Sequence, residues 1–217
     1  MNFQSRLARG VYAITPCATM KFAGILRHTE AILRTGVSAV QYRDKSRDLP
    51  AQRVRAAALL ELCRAAGTPF LINDDPALAA GVGADGVHLG MEDPAPETAR
   101  QMLGPDAIIG VSCYDDVERA RNLVRSGADY VAFGAFFPTA TKSPRVTATL
   151  DTLRQAKRQL RQPIVAIGGI TPENSESLVR AGADMLAVIS SLYDAEDPGR
   201  QVTRFQALFG DTQGVPK

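Results

Sequence analysis

The chain has 217 residues, 45% hydrophobic and 22% charged, the composition of an ordinary soluble globular protein. Its 25 Lys and Arg against 23 acids give a formal charge of +2, which argues against nucleic-acid or membrane partners and leaves small anions as ligands. Cys17, Cys63 and Cys113 form no CxxC, which argues against a disulfide framework or zinc site. With no apolar leader and no run of ~20 apolar residues, a cytoplasmic protein is expected.

Short apolar runs alternate with longer amphipathic segments along the whole chain. Strands are expected at Val11–Thr15, Ala39–Arg43, Phe70–Asn73, Gly86–Leu89, Ile108–Ser112, Tyr130–Gly134, Ile164–Gly168 and Met185–Ser190. Helical patterns lie between them, as at Gln52–Ala66, Val117–Ser126 and Pro172–Ala181, and a last one follows at Pro198–Phe209. This alternation implies βαβ units and a parallel sheet. Gly83-Ala84-Asp85, Gly127-Ala128-Asp129 and Gly182-Ala183-Asp184 each join a helix to a strand, where glycine supplies the left-handed residue that ends the helix. Eight strands can close into a barrel or form an open doubly wound sheet. No GxGxxG follows the first strand and no composition shift marks a second domain. The expected architecture is therefore α/β, a single (β/α)8 TIM barrel spanning residues 1–217.

Such a barrel carries its active site at the C-terminal ends of the strands, and the unusual polar residues of this sequence fall there. On the second strand Gln41, Arg43 and Lys45 share a face, and Val37 and Ala39 continue it as the barrel interior. An inward arginine and lysine call for an anionic ligand or, failing that, a structural ion pair with an acid on a neighbouring strand. The third strand ends in Asn73-Asp74-Asp75-Pro76. Asp75 fits an N-cap before Pro76, which leaves Asn73 and Asp74 at the mouth. Beyond the fourth strand, Asp93 before Pro94 fits either a helix cap or, with Asp74, a magnesium ligand.

Ser112 closes the fifth strand. The sixth runs into Phe137-Pro138-Thr139-Ala140-Thr141-Lys142-Ser143-Pro144, which composition alone reads as a surface connection and which could also fold over a phosphate. Gly168-Gly169 after the seventh strand and Ile189-Ser190 on the eighth stand where barrels often bind phosphate. His88, inside a strand, reads as a hydrogen-bonded core residue, and His28 as a surface residue. Cys113 reads as structural, and Arg154–Arg158 as the solvated face of a helix.

Taken in order, YAIT at 12–15, QYRDK at 41–45, INDD at 72–75, GADGVHLGMED at 83–93, IIGVS at 108–112, GADYVAFGAFFPTATK at 127–142, IVAIGGITPEN at 164–174 and AVISS at 187–191 resemble the thiamine phosphate synthase family over nearly the whole chain. The resemblance implies a transferase that joins 4-amino-5-hydroxymethyl-2-methylpyrimidine diphosphate to 4-methyl-5-(2-phosphooxyethyl)thiazole, giving thiamine phosphate and pyrophosphate. It implies that Gln41, Arg43, Lys45 and Asn73 bind the pyrimidine diphosphate and that Asp74 and Asp93 hold Mg2+. Ser112 and Lys142 would contact the diphosphate. Thr139, Thr141, Gly169, Ile189 and Ser190 would hold the thiazole phosphate. Arg43, Lys45, Ser112 and Lys142 form the implied catalytic group.

The sequence departs from the family pattern at Met91, where glutamine is common, and at Ala135, where glycine is common. No Ser–His or Cys–His pair stands out, and the dissociative chemistry implied by the resemblance needs none. The rivals are a thiazole tautomerase of the same fold and a non-catalytic thiazole-phosphate-binding barrel. The Asp74/Asp93 pair and the PTATK loop favour the synthase. Its partners are then small molecules, and the sequence leaves a homo-oligomer open.

Overall fold

A computed structural model of the chain describes residues 7–138 and 148–210. Its centre is a closed barrel of parallel strands in sequence order. These are β1 (Gly10–Ile14), β2 (Ala39–Tyr42), β3 (Phe70–Asn73), β4 (Gly86–Leu89), β5 (Ile108–Tyr114), β6 (Tyr130–Phe133), β7 (Ile164–Ile167) and β8 (Met185–Val188), with β8 paired back to β1. Outside it lie α1 (Phe22–Thr35), α2 (Leu49–Ala65), α3 (Pro76–Val82), α4 (Pro96–Leu103) and α5 (Val117–Arg125). The ring continues with α6 (Leu150–Gln159), α7 (Glu176–Arg180), α8 (Ser190–Tyr193) and α9 (Pro198–Gly210). This is the (β/α)8 TIM barrel expected from the alternation of elements.

The strands are mostly apolar on both faces because one looks into the barrel and the other toward the helices. Tyr12, Ile14, Ala39, Leu71, Ile108, Tyr130, Val165, Met185 and Ala187 fill the interior. Val11, Val40, Phe70, Val87, Ile109, Val131, Ile164 and Leu186 pack outward against the helices. Large and small residues lie side by side in the interior. Tyr12 is level with Ala39 and Ala187, and Gly110 lies level with both His88 and Tyr130. Val37 does not continue the interior face of β2. It packs with the outer core, because alternation begins only once β2 starts at Ala39.

The three GAD corners do more than turn the chain. Gly83, Gly127 and Gly182 adopt positive φ as expected. The aspartate that follows each one also grips the start of the preceding strand. Asp85 accepts from the Phe70 N–H at 2.9 Å, Asp129 from Ile109 at 2.7 Å and Asp184 from Ile164 at 3.0 Å. Arg100 and Lys157 neutralise Asp129 and Asp184, each at 2.7 Å. These bonds secure the N-terminal end of the barrel and leave the opposite end to carry the polar residues.

Candidate active site

At the C-terminal mouth, Thr15 follows β1 and its Oγ1 accepts a 2.9 Å hydrogen bond from the Arg43 backbone N–H. That bond fixes where the chain leaves β2. Gln41 points into the barrel and donates Nε2 to Tyr12 Oη at 2.7 Å. The Arg43 guanidinium is half-buried and makes no hydrogen bond or ion pair with the described residues. Asp44 turns outward and is held by Tyr42 Oη, Arg55 and the Ser46 N–H at 2.8–2.9 Å. Burial opposes its ionisation, but the bonds from Ser46, Tyr42 and Arg55 outweigh burial and hold its carboxyl below the usual range.

Lys45 reaches the neighbouring strand end and pairs with Asp74. The sequence offered an anionic ligand or an ion pair with a neighbouring acid for this lysine, and the ion pair is present. Asp74 itself has φ of +65°, a left-handed conformation that is uncommon for a residue with a side chain and that clusters at functional sites. Its N–H is anchored on the His88 carbonyl at 2.8 Å, and Asp75 beside it caps α3 through the Leu78 N–H at 2.8 Å, as expected. Lys45, Asn73 and Asp74 line a cleft of about 230 Å³ between the β2 and β3 exits.

Asp93 is not a helix cap. α4 starts at Pro96 behind Ala95, so the second of two prolines, not Pro94, opens the helix. The side chain instead closes its own turn, with Oδ2 accepting from the Gly90 N–H at 2.6 Å, and it hydrogen-bonds Asp74. The two acids respond in opposite directions. For Asp74, burial opposes ionisation, yet Lys45 and Asp93 together hold its carboxyl below the usual range. For Asp93, burial and the Asp74 charge raise the carboxyl, against the opposing pull of the Gly90 N–H. Lys45 pairs with Asp74 and acts on Asp93 only from farther off. Among the described residues no group of three or more His, Cys, Asp or Glu gathers as a metal cluster. Magnesium asks for less, one or two carboxylates completed by water and substrate phosphate, and this all-oxygen pair fits it.

Ser112 stands near the end of β5, where the β5–β6 register shifts between Ser112 and Tyr114. Its Oγ lies 2.9 Å from His88 Nε2, and His88 Nδ1 lies 2.9 Å from Tyr130 Oη. His88 is thus the hydrogen-bonded core residue expected. His28 is not a free surface residue, since its Nδ1 sits 2.8 Å from the Tyr193 carbonyl. The sequence reading missed Tyr12 and Tyr130, whose hydroxyls meet at 2.8 Å inside the barrel. Their place on the inward face of two strands was the available signal.

The segment after β6 lies across the β7 exit. Phe136 and Phe137 donate to the Ile167 and Gly168 carbonyls at 3.2 and 3.1 Å. Gly169, at φ of +63°, passes beneath this segment so closely that a Cβ would stand 2.3 Å from the Pro138 carbonyl oxygen. Thr139, Thr141 and Lys142 lie outside the described residues. On the far side, Ile189 packs into the barrel interior, and Ser190 is exposed at the start of α8. β8 ends at Val188, two residues earlier than expected, because the chain bends at Ile189 into α8.

This geometry is that of a TIM-barrel enzyme with its polar machinery at the C-terminal mouth. The family model for thiamine monophosphate synthase matches residues 11–192. The chain belongs to the thiamine monophosphate synthase family. It is 49% identical over 201 residues to the thiamine-phosphate synthase of Azoarcus sp. (strain BH72), covering 93% of this chain and 97% of that one. With the thiamine-phosphate synthase of Xanthomonas campestris pv. campestris it shares 52% over 202 residues, 93% of this chain and 96% of the other. The solved thiamine phosphate pyrophosphorylase of Pyrococcus furiosus superposes with a TM-score of 0.85 at 31% identity, covering 98% of this chain and all of that one.

Proposed function

We propose that the protein condenses 4-amino-5-hydroxymethyl-2-methylpyrimidine diphosphate with 4-methyl-5-(2-phosphooxyethyl)thiazole, giving thiamine phosphate and pyrophosphate. The observation that carries this reading is the meeting of Asp74, Asp93 and Lys45 at the mouth. A one-substrate isomerisation of the thiazole has no use for such a pair of acids. Asp74 and Asp93 would hold Mg2+, which supplies positive charge to the diphosphate. Arg43 and Lys45 would bind that group beside Gln41 and Asn73, with Ser112 and Lys142 contacting its oxygens. Thr139, Thr141, Gly169, Ile189 and Ser190 would hold the thiazole phosphate. The location assigned is the cytoplasm.

The bond that breaks joins the pyrimidine methylene carbon to the diphosphate oxygen, and its electron pair leaves with pyrophosphate. The methylene cation is captured by the thiazole nitrogen, which brings its own lone pair, so no general base is required. The work left to the chain is to stabilise charge on the departing pyrophosphate, align two substrates and exclude water. Arg43, Lys45 and Lys142 perform the first task. The test mixes purified protein with both substrates and measures thiamine phosphate and pyrophosphate, with Mg2+ and with EDTA. Metal-dependent formation of both products supports the reading. No product from folded protein with Mg2+ present refutes it in favour of a thiazole tautomerase or a thiazole-phosphate-binding barrel.

A further inference from the structure

Five side chains from five strands form one hydrogen-bonded chain through the barrel. Gln41 Nε2 donates to Tyr12 Oη at 2.7 Å, Tyr12 Oη meets Tyr130 Oη at 2.8 Å, and His88 bridges Tyr130 and Ser112 at 2.9 Å on each ring nitrogen. Gln41, Tyr12 and Tyr130 are at most 2% exposed. We propose that this chain has a single polarity, set by Gln41, which makes His88 a positioning residue and leaves the Ser112 hydroxyl proton for a ligand at the mouth. The proposal deepens the reading above, and rests on it, in that Ser112 is there placed against the diphosphate.

The polarity follows from counting protons. A buried hydroxyl has one hydrogen to donate and strands it only at a cost. Tyr12 Oη has two partners among the described residues, and Gln41 approaches with its NH2, which cannot accept. The Tyr12 proton therefore goes to Tyr130. Tyr130 then donates to its remaining partner, His88 Nδ1. A neutral imidazole that accepts at Nδ1 carries its proton on Nε2, so His88 donates to Ser112 Oγ. Ser112 is left as a donor. Burial raises both phenols far above neutrality, so they stay protonated donors throughout.

The chain contains only two histidines, and on this polarity they hold opposite tautomers. His28 Nδ1 faces a carbonyl and must carry its proton there. His88 must carry it on Nε2. Long-range 15N–1H correlation spectra of the 15N-labelled protein without substrates read both directly, and a His28→Gln variant assigns the signals. The Nε2–H form of His88 should exceed the other by at least about tenfold, the ratio that ~1.4 kcal/mol of net hydrogen bonding sustains. Tyr130→Phe keeps the ring but removes the donor to Nδ1, so the ratio should fall toward one. An Nδ1–H, mixed or doubly protonated His88 in the parent protein overturns the proposal, as does a ratio unchanged by Tyr130→Phe. None of these outcomes depends on whether the condensation is observed.

Discussion

Gly110→Ala is expected to be far more costly than its single methyl group suggests. The residue lies mid-strand on β5, level with His88 on one side and Tyr130 on the other. The Tyr130 ring leans over it to reach His88, with ring centroids 5.6 Å apart. A Cβ at Gly110 would stand 1.9 Å from Tyr130 Cζ and 2.2 Å from its Oη, where no side chain can sit. The ring is closed in by the barrel and cannot swing into solvent. Overpacking of this kind costs about 1–3 kcal/mol. Moving the phenol also breaks its bonds to Tyr12 and His88, each contributing roughly 0.5–1.5 kcal/mol net. The combined loss is about 2–6 kcal/mol, and at roughly 2–4 °C per kcal/mol for a chain of this size Tm should fall by at least ~4 °C. Urea unfolding of Gly110→Ala, Tyr130→Val and the double variant separates the clash from intrinsic strand propensity. The alanine should cost much less once the ring is gone, with coupling above ~1 kcal/mol. Equal cost in both backgrounds would show that Gly110 does not make room for Tyr130.

Lys142→Ala should lower the chemical step by more than about tenfold, as loss of one electrostatic donor to a leaving group can, and single-turnover kinetics with an unchanged step would remove Lys142 from the reaction. Asp129→Ala removes the acceptor of the Ile109 N–H and of Arg100, so chemical unfolding should show a loss of roughly 1.5–3 kcal/mol with turnover intact. A variant as stable as the parent would deny the GAD aspartates their part in closing the barrel. Asp44, held below the usual carboxyl range, contributes stability that is present above its unfolded value near pH 4 and is lost as pH falls through the depressed folded one. Asp44→Asn should therefore narrow the stability gap between neutral and acid solution, and an unchanged pH dependence would contradict that assignment.

What the sequence made legible was the part governed by local pattern. Strand runs bounded by glycine, aspartate and proline place β3 and β4 to the residue, and the Asp75-Pro76 start of α3 is written in two adjacent letters. Boundaries failed where side chains far from the pattern took over. The helical pattern at Pro172–Ala181 yields a regular helix only from Glu176, because Asn174 bonds the Thr171 N–H and the Gly169 carbonyl and holds a turn there first. Asp93 was ambiguous because cap and ligand call for the same residue type, and the start of α4 at Pro96 rather than Pro94 removes only the cap reading. The interior chain was invisible because Tyr12 and Tyr130 lie 118 residues apart and each reads locally as one more apolar letter.

The two ends of the barrel use aspartate under opposite terms, and that contrast separates scaffold from site. At the N-terminal end Asp129 and Asp184 each take a strand N–H and a cation of their own. Those partners tie them to the strand starts, and folding alone accounts for them. At the mouth Asp74 and Asp93 are in contact and Lys45 pairs with Asp74; Asp74 is held in a left-handed backbone, and Asp93 has its carboxyl raised. Two carboxyls held in contact, which disfavours ionising both, and a left-handed backbone each cost free energy that an asparagine or glycine would spare. The proposal that Asp74 and Asp93 hold a divalent cation accounts for that cost, since such a cation would supply positive charge that Lys45 alone does not.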